Sequence, residues 1–397
     1  MSMPAALRRR REYAGPALFS YGFRPFFLGA AAWALLGILL WVPQFSGTFT
    51  LPTHLGPLDW HIHEMLYGYV AASIAGFLLT AIPNWTGRLP ISGPPLAALA
   101  LLWLAGRLAM LFSDQIGGPL AAVIDTSFLI VLGGAAAREI IAGQNWRNLR
   151  VLGALGILIA GNIVFHIEVL LYGAADYGVR IAIAAVIMLI MLVGGRIVPS
   201  FTNNWLTRNN PGRLPASFSR FDALCIVAGA IALVAWIAAP SHMVTGVLLV
   251  VAGALHCVRL ARWAGDRTLA DRLVLVLHVA YAFVPLGFLL LGASTWFSIP
   301  ASAGIHAWSA GAVGLMTLAV MTRASLGHTG QPLAATPMTQ VIYALAFIAA
   351  VARIAAAFDG SPALLHIAAT AWSAAFLGFL LVYGPLLIGR RPAWERD

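Results

Sequence analysis

The chain has 397 residues, of which 60% are apolar and only 10% charged, with a formal net charge of +10. A soluble domain carries about 25% charged residues, so this composition excludes a water-soluble enzyme and specifies a polytopic membrane protein. All 24 basic residues are Arg, and in such a chain they set topology rather than bind nucleic acid.

Arg8 to Arg11 precede the first long apolar run without a small-residue cleavage site, so no removed signal peptide is expected. Hydropathy predicts an all-α bundle of about twelve membrane-spanning helices, at 25–44, 63–82, 95–112, 117–141, 149–172, 178–200, 220–239, 241–262, 269–292, 300–323, 338–358 and 363–388. They make one transmembrane domain over 1–397, with a short N-terminal segment 1–24, a polar loop at about 201–219 and a tail 389–397. Placing those three segments in the cytoplasm puts nearly every Arg there. Only Arg107, Arg180 and Arg353 fall in outer halves or ends of spans. The positive-inside rule thus predicts an inner-membrane protein with both termini cytoplasmic.

Span 2 opens Asp59-Trp60-His61-Ile62-His63-Glu64-Met65-Leu66-Tyr67. On an α-helix His61 and His63 point about 200° apart and cannot both face one iron. Glu64, three residues after His61, is placed to orient it or to relay protons. Span 3 carries Arg107, and span 5 ends with Asn162, His166 and Glu168. Span 9 carries His278, span 10 His306 and span 11 Arg353. The predicted topology puts His54, His61, His63, His166, His242, His306 and His366 toward the outer face.

Neutral imidazole binds haem iron and copper. His61, His63, His166, His278 and His306 are therefore candidate metal ligands, with His63 and His306 as the expected haem pair. Arg107 and Arg353 suit haem propionates through the planar guanidinium fork, with headgroups or protein carboxylates as the alternative partners. Glu64 and Glu168 are the candidate catalytic proton carriers. Cys225 and Cys257 lie in apolar runs and form no CxxC pair.

A weak repeat links spans 2 and 10. Aligning His63 with His306 also aligns Gly68 with Gly311 and Thr86-Gly87 with Thr329-Gly330. Span 6 ends Pro199-Ser200-Phe201-Thr202, which echoes Pro83-Asn84-Trp85-Thr86. Related helices four spans apart predict three four-helix units, as in the haem–copper oxidase core. Spans 6 and 7 contain no His, which argues against an oxygen-reducing pump.

Four segments carry a resemblance to a known family. They are Gly22-Phe23-Arg24-Pro25-Phe26-Phe27, Trp60 to Met65, Ala75 to Arg88, and Met321 to Gly330. In these the chain resembles the NnrS family of bacterial membrane proteins over nearly its full length. Gln331 departs from the family, which usually continues with Arg there. The resemblance implies an inner-membrane protein containing haem b and copper, linked to denitrification and to resistance to nitric oxide. A redox enzyme that reduces or removes nitric oxide is the expected function, with electrons from a cytochrome c or quinol. The alternatives are a non-enzymatic haem or metal sensor or carrier, and a twelve-helix secondary transporter.

Overall fold

A computed structural model describes residue 13 and residues 15–389, so the Arg8 to Arg11 run and most of the predicted tail lie outside the described residues. Among the described residues there is no strand, and twelve helices are long and apolar enough to cross a bilayer. They are α1 (Phe23–Phe45), α2 (Pro57–Thr86), α3 (Pro94–Leu111), α4 (Gly118–Ala142), α5 (Trp146–Tyr172) and α6 (Tyr177–Asn209). Then come α7 (Arg220–Ala238), α8 (Met243–Arg267), α9 (Arg272–Ala293), α10 (Ala301–His328), α11 (Pro337–Asp359) and α12 (Pro362–Ile388).

Local chemistry sets many of the ends. Pro occupies the first turn of α2, α3, α4 and α11, where its missing N–H costs nothing. Left-handed Gly87, Gly173 and Gly360 close α2, α5 and α11. Two boundaries differ from expectation. The Gly56-Pro57 start carries α2 outward past residue 63, so His61 lies within the helix. α6 continues through Pro199 to Asn209, taking up half of the loop expected at 201–219. Hydropathy falls along that stretch, but Thr202 and Leu206 are buried on one side of it, and packing sustains the helix.

Three helices widen into π geometry within their spans: Glu64–Val70 in α2, Ile190–Gly194 in α6 and Ala307–Val313 in α10. These are the three helices linked by the weak repeat. Between α2 and α10 the register holds closely. The interval from Glu64 to Ala307 also separates Gly87 from Gly330 and Gly117 from Gly360, each Gly with positive φ. It separates the helix-starting Pro94 from Pro337 as well. α2–α4 and α10–α12 thus share one register of π segments, prolines and left-handed glycines. The chain nevertheless divides into two compact units, not the three four-helix units expected.

The first unit spans Met1–Val179, Val320–Leu333 and Phe376–Asp397. α1 packs closely on α2 because a Cβ at Gly76 would lie 2.6 Å from the Phe27 ring. Tyr21 and Phe23 meet His328, with ring centroids 5.5 and 5.4 Å away. Arg24 is buried and donates from Nη1 to the carbonyls of Leu387 (2.9 Å) and Gly389 (3.0 Å), neutralising the negative end of α12.

The second unit spans Arg180–Ala319 and Ala334–Ala375. α8 and α9 approach through Gly246 and Gly292, where a Cβ at Gly292 would lie 2.9 Å from the Gly246 carbonyl. A buried polar chain crosses this unit. Arg259 donates to Asp222 (3.2 Å), to the Tyr281 hydroxyl (2.9 Å) and to the Met191 carbonyl of the α6 π segment (3.1 Å).

Candidate metal centre

The first unit holds a buried charged network built from α1 to α5. The π segment of α2 starts at Glu64, and the Glu64 carboxylate lies beside its chain neighbour His63. His63 Nδ1 lies 2.9 Å from Glu64 Oε1. Glu64 Oε2 accepts from Trp33 Nε1 on α1 and from Arg107 Nη1 on α3, both at 2.6 Å. Arg107 also pairs through Nη2 with Asp125 on α4.

The other Asp125 oxygen is the focus. Oδ2 accepts from Asn162 Nδ2 at 2.8 Å and faces His166 Nε2 at 3.1 Å and His63 Nε2 at 3.2 Å. Three nitrogens around one carboxylate oxygen exceed its ordinary pair of acceptor sites. His63, Asp125 and His166 each present a ligand atom, all within 4.8 Å of one another. Two ligand atoms each about 2.1 Å from one metal lie roughly 3.0–3.4 Å apart at tetrahedral to octahedral angles. The two nitrogen–oxygen separations at Asp125 Oδ2 fall in that range.

Charge balance points the same way. Glu64 and Asp125 together carry two negative charges against the single positive charge of Arg107, and all three are at most 2% exposed. One further positive charge balances the network, because an uncompensated buried charge costs several kcal/mol, and either an imidazolium at His63 or a metal cation between the imidazoles and Asp125 would supply it. With a metal bound, His63 would keep its proton on Nδ1 for Glu64 and offer Nε2 to the metal, the usual carboxylate–histidine–metal arrangement.

Unpartnered polar atoms surround the centre. His166 Nδ1 and Asn162 Oδ1 are buried without a hydrogen-bond partner among the described residues, and so are both ring nitrogens of His54. The His54 loop is pinned by its own backbone N–H on Ser113 Oγ (3.0 Å), and Ser113 also meets Thr53 (3.0 Å). Burial holds the His54 imidazole below its ordinary pKa, with His166 adding to the effect.

A haem at His63 finds no slot here. A Cβ at Gly68 would lie 2.7 Å from the Trp33 ring and 2.8 Å from Arg107. Phe165, His166 and Tyr67 close on the His63 ring, with centroids 5.0, 5.0 and 5.1 Å off. These side chains fill the space beside Gly68 and around the His63 ring. Two imidazoles and one carboxylate suit a non-haem metal ion, with coordination positions left open.

Of the residues expected to form the site, Glu64, His63, Arg107 and His166 come together. Glu64 meets His63 rather than His61, and Arg107 meets carboxylates of the protein. His61 turns away and stacks on Trp41, with ring centroids 4.1 Å apart. Glu168 accepts the backbone N–H groups of Asp176, Tyr177 and Gly178, capping the start of α6. His278, His306 and Arg353 belong to the second unit. There His278 Nε2 lies 2.8 Å from Thr202 Oγ1, His306 ends the turn before the π segment of α10, and Arg353 is half-buried on α11. Sequence reasoning did not assign Asp125 to the site. A lone Asp inside an apolar span was the available signal.

The two copies of the repeat differ at this place. The interval from Glu64 to Ala307 also separates Arg107 from Ala350 and Asp125 from Ala368. Three buried alanines thus stand in the second copy where the first carries Glu64, Arg107 and Asp125.

Comparison with curated proteins and with solved structures finds no match. The NnrS protein family matches residues 17–391, nearly the whole chain, and the chain belongs to that family.

Proposed function

We propose, on the premise of NnrS membership, that this is a redox-active metalloprotein of nitric oxide metabolism or resistance, with its metal held by His63, His166 and Asp125. The observation that carries the reading is Asp125 Oδ2 facing both imidazoles inside a buried network. When bound, iron or copper would supply an open position for nitric oxide and a route for electrons. The protein's own groups hold the ligands in place. Glu64 fixes the His63 tautomer, Arg107 holds both carboxylates, and Asn162 orients Asp125.

Reduction of two nitric oxide molecules to nitrous oxide and water takes two electrons and two protons, which a cytochrome c or a quinol would provide as donor. Haem b, implied by the family resemblance, enters this reading as a second cofactor with ligands other than His63. Arg asymmetry supports an inner-membrane location with both termini in the cytoplasm.

The test is iron and copper per chain in purified protein, followed by nitric oxide consumption with a reductant. The expected result is about one non-haem metal per chain, lost in His166→Ala and Asp125→Asn, together with nitric oxide consumption. Parent protein that takes up no metal overturns the proposal. Stoichiometric metal without consumption replaces the enzyme with a sensor or carrier.

A further inference from the structure

The first unit also contains a cavity of about 970 Å³, built from residues other than the metal centre's. One end is polar. Glu139 on α4 accepts from Arg88 Nε at 2.5 Å and from Arg138 Nε and Nη2 at 2.9 and 2.8 Å. Both Glu139 oxygens are engaged, and the cluster keeps one net positive charge. The remaining guanidinium nitrogens are presented outward, with the Arg88 and Arg138 side chains 43% and 68% exposed.

The other end is an apolar trough between α3 and α4, walled by Leu99, Leu102, Val131 and Ala135. Gly134 opens it further, because a Cβ there would meet nothing within 4 Å. The polar end lies beside the α2–α3 connection, which the Arg distribution assigns to the cytoplasmic side.

We propose that this cavity binds an anionic phospholipid of the inner leaflet, with its phosphate on Arg88 and Arg138 and an acyl chain along the α3–α4 trough. Arg pairs readily with phosphate through parallel N–H bonds. Each methylene laid in the trough leaves the bilayer without meeting water, so the phosphate contact and the residual positive charge decide which lipid is held. Glu139 holds the two guanidinium groups side by side, one on each of its oxygens. The repeat makes the site specific to the first copy. At the positions equivalent to Arg88, Arg138 and Glu139 the second copy carries Gln331, Leu381 and Val382, which removes the charged end.

The experiment is native mass spectrometry of the full-length protein in detergent, titrated with phosphatidylglycerol, phosphatidylcholine or sn-glycerol 3-phosphate. The expected result is one retained phosphatidylglycerol per chain, preferred at least tenfold over phosphatidylcholine, with no retention of sn-glycerol 3-phosphate. Arg88→Gln/Arg138→Gln should abolish the preference, and Gly134→Leu should lower retention with both Arg intact. Metal content is measured in the same samples and should equal the parent's, which separates this site from the metal centre and shows that the variants are folded. Equal retention of the two phospholipids, binding of sn-glycerol 3-phosphate alone, or phosphatidylglycerol retention unchanged in both variants would overturn the proposal.

Discussion

Glu64 and Ala307 stand at the same point of two like helices, each the first residue of a π segment and each directly after a histidine. One carries a buried charge bonded to Trp33, Arg107 and His63, and the other carries a methyl group.

That equivalence predicts a particular non-additivity. Arg107→Ala removes the buried guanidinium that bridges Glu64 and Asp125 and should cost about 3–5 kcal/mol. Glu64→Ala/Arg107→Ala/Asp125→Ala imitates the second copy and should be less destabilised than Arg107→Ala alone. Thermal unfolding of the detergent-solubilised proteins measures the order, and a triple variant that is the less stable of the two refutes the argument.

Glu64 would act on a bound metal through His63. Glu64→Gln keeps a hydrogen-bond acceptor but loses the charge, and should weaken metal binding about 10–100-fold while His63 still ligates. Competition against a chelator of known affinity reads the change. An unaltered affinity would separate Glu64 from the centre.

The His54 imidazole is held below its ordinary value of about 6.5 by burial, with His166 next in effect. The folded state then binds fewer protons than the unfolded chain between the lowered value and about 6.5. Stability therefore falls as pH drops through 6.5 and levels off below the folded pKa. Metal-free protein should melt at a lower temperature at pH 5.5 than at pH 7.5, with the difference reduced in His54→Leu. Melting curves over that range test it, and identical pH dependence in the two proteins would remove His54 as a source.

Glu168 has its oxygens on three backbone N–H groups at the start of α6. Glu168→Ala should cost about 0.5–2 kcal/mol, as loss of a helix cap does, and should leave metal content at the parent level. A loss of metal with unchanged stability would return Glu168 to the chemistry.

The membrane architecture was legible in composition and hydropathy, because a bilayer admits long apolar helices and little else. The His61-Ile62-His63-Glu64 segment was legible as a polar cluster, and the structure sets Glu64 on His63 rather than on His61. The π segment that begins at Glu64 has no hydropathy signature. Arg107 was visible as an anomaly, while its partners depended on how α2, α3 and α4 pack. Glu168 looked catalytic by position, but its role is set by the turn into α6, which sequence spacing does not reveal. The repeat was visible in a few identities around His63 and His306, and its extent emerged only in the matching left-handed glycines.

Arg24, near the start of α1, closes on the carbonyl end of α12, and the first unit draws its described residues from three separated stretches of chain. That has a consequence for biogenesis. The helices that carry His63, Asp125 and His166 leave the ribosome early, yet their unit is complete only once α12 has been made and inserted. Until then Arg24 has no helix end to hold. A metal held by His63, Asp125 and His166 would then be loaded late in the life of the chain, and nascent chains halted before α12 should emerge without it.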